Sequence, residues 1–356
     1  MPTPAVQRLG HDILCLDADY IAPGLACFYL IRGGDEYAVI ETGTAHSLAL
    51  LQDCLREEGI EATQLRYVVP THAHLDHAGG AGAIMAAFPD ATLLAHPSAA
   101  RHLIDPSRLV SSSIEVYGER AFARLYGEIQ PIPGERVHTL EDRQQFEVGD
   151  RVLEARHTRG HANHHLCLWD ATSRGWFTGD MFGVCYREFR LADGPFVAPS
   201  TTPTQFDPEA FIQSLDLLAS YGPERLYLTH FGELGWEQSA RELLQQQVMH
   251  YPELARQTGN DVGALSEALI EYTWAQLGSR VPDDQRARIA ERIAADMNLN
   301  AQGLSIWLRR QAARPDRLPG IHCRRHVVLP SPAVADCCRV IVRDDGLCLR
   351  RAPAAG

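Results

Sequence analysis

The chain has 356 residues, 45% of them hydrophobic, and a formal net charge of −12. It is long enough for one large domain with an appendage and a sizeable core. The acidic balance argues against a nucleic-acid partner, and no apolar run approaches the length of a membrane span, which argues against a membrane partner.

Segments rich in β-branched and aromatic residues predict strands over 13–17, 27–32 and 37–41. Residues 47–58 predict a helix that Gly59 ends. Residues 66–70 form a strand of the buried type. Gly79 and Gly80 then let the chain turn tightly into a helix that runs to Phe88. A strand over 91–95 and a short helix over 97–103 follow. Residues 107–130 read as helical and carry Tyr117, Phe122 and Tyr126. This segment either covers a site or packs its aromatics inward as a peripheral helix.

The second half begins near Gln144, with strands over 145–148, 152–157, 166–169 and 175–178. Asp207 and Pro208 open a helix that runs to Tyr221, proline lying in its first turn. A strand over 226–228 comes next. From about Leu234 the pattern is almost all helix, over 238–257, 262–277 and 283–310. Three parts result: a body over 1–237, a helical appendage over 238–312, and a tail over 313–356. The appendage is either a homodimer surface or a wall over a site. The tail holds eight arginines against four acids, four cysteines and five prolines, a composition that predicts poor order.

Directly after the strand over 66–70 comes Thr71-His72-Ala73-His74-Leu75-Asp76-His77. Three histidines and an aspartate within six positions do not serve a packed core, because each would need its own partner if buried. Imidazole and carboxylate at this spacing are ligands for a borderline metal such as zinc. The cluster lies on the loop at a strand's end, where sites on α/β layers belong. Three further candidates sit where later strands end. They are His161 in Thr158-Arg159-Gly160-His161, Asp180 in Thr178-Gly179-Asp180, and His230 in Leu228-Thr229-His230-Phe231-Gly232.

With these residues in this order the chain resembles the metallo-β-lactamase-fold hydrolase superfamily, over roughly residues 10–250. The resemblance implies an α/β four-layer αββα sandwich, the body over 1–237 being its catalytic domain. It also implies a ligand set. His72, His74 and His161 would hold a first metal, Asp76, His77 and His230 a second, and Asp180 would bridge them. Two divalent ions are expected, zinc by default, with iron or manganese as alternatives. Such a pair can share one water, whose pKa falls from 15.7 to about 7 when bound, giving a bridging hydroxide as nucleophile. Asp76 has a second task, to orient that nucleophile and carry its proton to the leaving group.

The same resemblance sorts reactions. True β-lactamases of this fold commonly place cysteine where Asp180 stands, and some anchor substrate with lysine, which this chain lacks entirely. Flavodiiron proteins carry glutamate where His74 stands. What remains is hydrolysis of a small-molecule carbonyl ester, thioester or lactone, as in glyoxalase-II-like thioesterases and quorum-quenching-type lactonases. The lactonases use a tyrosine near the bridging aspartate to support the carbonyl oxygen, and Tyr186 stands six residues after Asp180. Two other readings stay open. One is a persulfide dioxygenase with a single iron on His72, His161 and Asp180. The other is a metal-dependent phosphodiesterase or nuclease.

Two positions depart from the superfamily pattern. Arg159 replaces a common proline and is either an anion contact or a solvated arginine. Glu41 replaces the aspartate of a common D-T-G, which puts one contact behind the ligands in question. His165 is a candidate to orient a ligand, whereas His96, His138, His157 and His164 are not read as ligands. The nine cysteines form no paired framework, and Met1 to Leu16 carry no secretory pattern, so a cytoplasmic, reducing setting is expected. In the tail, His322, Cys323, His326, Cys337 and Cys338 invite a structural zinc, but no paired C-x-x-C spacing is present. Deletion from Arg314 is therefore expected to leave metal content and activity intact. Loss of zinc in that truncated protein would make the tail a real site.

Overall fold

The computed structural model describes residues 5–201 and 204–313. The expectations for the tail and its Cys/His cluster lie outside the described residues. Among those residues a seven-stranded sheet runs β1 (Val6–Leu9), β2 (Ile13–Asp17), β3 (Cys27–Gly33), β4 (Glu36–Ile40), β5 (Leu65–Val69), β6 (Thr92–Ala95) and β7 (Val137–Thr139), in that order. The first three pairings are antiparallel and the last three parallel. The parallel crossovers are helical. They use α1 (Ser47–Glu58), the short α2 (Leu75–Ala78) with α3 (Ala81–Ala87), and the run α4 (Pro97–Ile104), α5 (Ser107–Tyr117) and α6 (Glu119–Tyr126).

The second sheet is built from β8 (Gln145–Val148), β9 (Arg151–His157), β10 (Leu166–Asp170) and β11 (Gly175–Gly179). A small hairpin, β12 (Arg190–Leu191) with β13 (Gly194–Pro195), and α7 (Pro208–Ser220) intervene before β14 (Arg225–Leu228) and β15 (Gly232–Gly235) complete it. Its order is β15-β14-β11-β10-β9-β8, and β11 pairs parallel with β14. The chain ends, for the described residues, with α8 (Gln238–Gln257), α9 (Val262–Leu277) and α10 (Arg286–Ala312).

Side-chain alternation makes the layers. Along β3, Phe28 and Leu30 enter one apolar cluster with residues of α1, α3 and α4, while Cys27, Tyr29 and Ile31 enter another with Leu153, Leu168, Phe177 and Tyr227 of the second sheet. Both faces of the strand are thus buried, so it reads as a continuous apolar run. The outer face of the second sheet, including Trp176, Leu226 and Leu228, packs on α7 and on α8–α10. Helix, sheet, sheet and helix are stacked in that order, the αββα sandwich expected. Arg151 ties the two sheets together. Its guanidinium donates to both oxygens of Asp170 at 3.0 and 2.5 Å and to the carbonyls of His11 and Arg32 at 2.7 and 3.0 Å.

The predicted strands and helices are present, with five added strands, among them the two-residue β12 and β13 of the small hairpin. β1 and β7 are short and partly exposed, so they carry no apolar signal. β15 is bounded by Gly232 and Gly235 and lies between the strand expected over 226–228 and the helix expected over 238–257. Glycine does not favour strands; pairing with β14 imposes the conformation. The appendage helices share a single core with the second sheet. Phe211 and Leu215 of α7 and Leu228 of β14 lie in one cluster with Leu244, Leu269, Ile293 and Leu304. Truncation from Asp283 is expected to expose that core and leave an aggregating chain. Leu269→Ala, at a fully buried position, is expected to cost about 3 kcal/mol in denaturant unfolding, with the fold retained.

Candidate metal centre

Strands β4, β5, β9, β11 and β14 all finish at one edge of the sandwich, and each delivers part of a polar centre. β5 leads into Thr71, after which His72 and His74 precede the single turn of α2 that carries Asp76 and His77. Two glycines permit the close approaches. At Gly160, φ is +136° and a Cβ would lie 2.3 Å from Cα of Phe211, so only glycine lets the exit of β9 pass α7 and bring in His161. At Gly179, φ is +49° and a Cβ would lie 2.4 Å from Oγ1 of Thr71. Asp180 therefore follows a residue that must be bare.

All seven candidate ligands converge. Nδ1 of His74 lies 2.7 Å from Nε2 of His72 and 3.0 Å from Nε2 of His161. In a second group, Nε2 of His77 lies 3.3 Å from Nε2 of His230, and Oδ2 of Asp76 lies 3.4 Å from His230 and 3.7 Å from His77. Asp180 reaches both groups. Its Oδ1 is 3.1 Å from Nε2 of His77 and 3.4 Å from that of His230, and its Oδ2 is 3.4 Å from Nε2 of His161.

In His72, His77, His161 and His230 the ring nitrogen that faces away from the centre has a partner of its own. His161 Nδ1 donates to the Ser200 carbonyl at 3.0 Å, and His230 Nδ1 to the Leu25 carbonyl at 2.6 Å. His77 Nδ1 donates to Oε1 of Glu41 at 2.8 Å. His72 Nδ1 lies 3.0 Å from Oγ1 of Thr71, which itself donates to Glu41 at 2.6 Å. Such outward bonds fix which nitrogen presents its lone pair inward. Glu41 also accepts from the Thr71 backbone at 2.9 Å and from Thr229 at 3.0 Å. The glutamate thus makes the contacts that the departure from D-T-G put in question. His165 bonds the backbone of Asp180 and not a candidate histidine: the aspartate's N–H donates to His165 Nε2 at 3.2 Å, and Nδ1 of that ring lies 2.8 Å from Thr158.

The electrostatics of the two groups differ. Burial and neighbouring imidazoles hold His72 and His74 well below the usual histidine range. Burial opposes charge on His77 and His230 too, but the carboxylates outweigh it; His77 is held well above its ordinary value and His230 is raised to about 9. Burial likewise opposes ionisation of Asp180, yet His77, His161 and His230 keep it well below the carboxylate range. Buried carboxylates require positive charge, and protons on His77 and His230 supply it in a metal-free chain. A divalent cation does so with better geometry. Oδ1 of Asp180 is buried without a hydrogen-bond partner among the described residues, which marks an acceptor that hydrogen bonding leaves unused. Inward nitrogens, charged carboxylates and that orphaned oxygen fit a metal site.

The remaining candidates fall into place around it. Tyr186 is buried, and its hydroxyl donates to Oδ1 of Asp296 on α10 at 3.2 Å. Burial pushes the Asp296 carboxyl up to about 6. Arg159 is exposed and paired with Asn163. His138 is exposed, and His157 bonds the Leu140 carbonyl at 2.8 Å. His96 caps α4 by accepting from Ser98. His164 borders the first group through its ring contacts with His72 and His74. In the segment over 107–130, Phe122 and Tyr126 of α6 pack inward, and they do so on Leu75 of the metal motif. The contributions of Ser200, Leu25 and Asp296 had no sequence signal, since two act through backbone carbonyls and the third lies on a helix far along the chain.

The description of the metallo-beta-lactamase superfamily matches this chain over residues 23–230. Among proteins it is similar to, the metallo-beta-lactamase fold-containing protein ST1585 of Sulfurisphaera tokodaii is 24% identical over 214 residues, 59% of this chain and 74% of that one. The human acyl-coenzyme A thioesterase MBLAC2 is 27% identical over 191 residues, 50% of this chain and 66% of that one. The probable hydroxyacylglutathione hydrolase glo2 of Schizosaccharomyces pombe is 24% identical over 159 residues, 41% of this chain and 49% of that one. The crystal structure of the archaeal ST1585 protein superposes with a TM-score of 0.57 at 20% identity, covering 83% of this chain and 99% of that one, a likeness of fold. By its sequence match over more than half its length, this chain belongs to the metallo-beta-lactamase superfamily.

Proposed function

We propose that this protein is a metal-dependent hydrolase of a small carbonyl ester, with a thioester as the preferred substrate and lactones within reach of the same chemistry. The observation that carries the reading is Asp180, whose two oxygens face two separate groups of inward ligands. Among similar proteins, the human and fission-yeast ones named above carry thioester-cleaving descriptions, which supports the choice of leaving group. In this reading His72, His74 and His161 hold one divalent ion, Asp76, His77 and His230 a second, and Asp180 both.

With divalent cations held by these residues, a bound water would become acidic enough to attack near neutral pH and the substrate carbonyl would be polarised. The protein's own groups do the rest. Asp76 is the most open of the carboxylates, with a side chain 23% exposed where that of Asp180 is 6% exposed. Burial opposes its ionisation, but His77 and His230 hold its carboxyl below the usual range. It takes the proton lost by the attacking water and passes it to the departing thiolate as the C–S bond breaks. Burial and Asp296 push the Tyr186 phenol up, and Asp180 adds to the rise. A substrate carbonyl competes with Asp296 for the tyrosine proton and gains a donor as negative charge develops.

Three measurements test this. The purified chain is expected to carry about two transition-metal ions, with Asp180→Ala depleting both; unchanged stoichiometry in that variant would show the bridge to be wrong. Asp76→Asn is expected to keep the fold and lower kcat by several orders of magnitude, since metal retention and proton transfer fail together. Tyr186→Phe is expected to lower kcat about tenfold on thioesters with metal content unchanged. A panel of thioesters, lactones and phosphoesters decides the class. A chain that held one iron and consumed oxygen with a persulfide would overturn the hydrolase reading.

A further inference from the structure

The helical appendage does more than cover the outer face of the second sheet. Asn300 lies mid-way along the 27-residue α10 and is 3% exposed. Asparagine is a poor choice for a helix interior, and its amide costs free energy when buried unless fully bonded. Here both ends of the amide are used, and both are spent on one short segment. Oδ1 accepts from the Thr201 backbone at 2.8 Å and from its hydroxyl at 3.0 Å, while Nδ2 donates to the Pro199 carbonyl at 3.0 Å. Pro199 and Thr201 flank Ser200, whose carbonyl accepts from Nδ1 of His161.

We infer that Asn300 is a positioning residue for the metal centre: by gripping the residues on either side of Ser200, it sets the carbonyl that aims His161. The inference rests on the metal-dependent reading above. The hydrogen bond that His161 Nδ1 donates to the Ser200 carbonyl fixes the tautomer and tilt of the imidazole, and a carbonyl that wanders cannot do so. The preceding part of the segment is tied independently. Val184 and Ala198 exchange backbone bonds of 2.8 and 3.0 Å, and Gln247 of α8 donates to the Val197 carbonyl at 2.6 Å. Loss of the Asn300 side chain therefore removes its bonds to Pro199 and Thr201 and leaves the rest anchored, along with the bond from the Thr201 hydroxyl to the Asn300 carbonyl at 3.1 Å.

The test is zinc affinity, measured on the full chain by competition with a chromophoric chelator. Asn300→Ala is expected to weaken one of the two zinc equivalents about tenfold, the scale on which the partners of metal ligands act. Asn300→Asp keeps the acceptor for Thr201, loses the donor for Pro199, and is expected to fall between; it carries the comparison if the alanine variant does not fold. Leu269→Ala serves as the destabilised control, since its cavity lies in the appendage core and touches none of these bonds. An equal loss in that control would assign the effect to general stability and overturn the positioning role. Wild-type affinity in Asn300→Ala would overturn it as well, leaving the proposed function untouched. A wild-type chain that took up no zinc would overturn both.

Discussion

A single buried carboxylate organises the centre. Glu41 is 1% exposed, stands at the end of β4, and takes φ of +63°, a left-handed conformation costly for any residue with a Cβ. Charge in that position is tolerable only because four donors surround it. Each donor belongs to a segment that carries ligands. Thr71 precedes His72 and His74, His77 is itself a candidate ligand, and Thr229 precedes His230. The first three donors come from the loop after β5 in one sheet and the fourth from the end of β14 in the other. The two halves of the sandwich therefore meet on one negative charge, and the geometry of both ligand groups is referred to it.

The candidate ligands were legible because metal chemistry would force their residue types. A cation of this kind accepts imidazole and carboxylate and little else, so His72 to His77 stood out against any packing pattern. His161, Asp180 and His230 were legible through their place after strand-like runs. The sandwich was legible through the two similar runs of strands and helices and through the resemblance that the ordered histidines and aspartates carry; β3, buried on both faces, shows why its strands carry no polar alternation. What escaped was the framework of backbone partners. A carbonyl at Ser200 or Leu25 is the same atom in every residue, and nothing in a sequence marks which one an imidazole will choose. β15 escaped because its flanking glycines signal a turn, whereas its strand character comes from pairing with β14.

The segment over 107–130 shows how two readings of one sequence can meet. Its aromatics were open to a covering role or to simple inward packing. Phe122 and Tyr126 do pack inward, but their neighbour is Leu75, one residue before Asp76. Tyr126 also pairs its hydroxyl with that of Tyr20 at 3.0 Å, and the Asp76 carboxylate adds to the burial that raises both phenols. The insertion thus stiffens the turn that carries the most exposed carboxylate of the centre.

The bond from His230 to the Leu25 carbonyl spans 205 positions. A contact of that separation carries a large loop-closure cost, and topologies rich in such contacts form them late in folding. While the chain is being made, residues 72–77 emerge far ahead of residue 230. The early histidines can meet a metal ion long before the ring that completes the second group has its anchor. Order of assembly then sets when the second candidate group is complete.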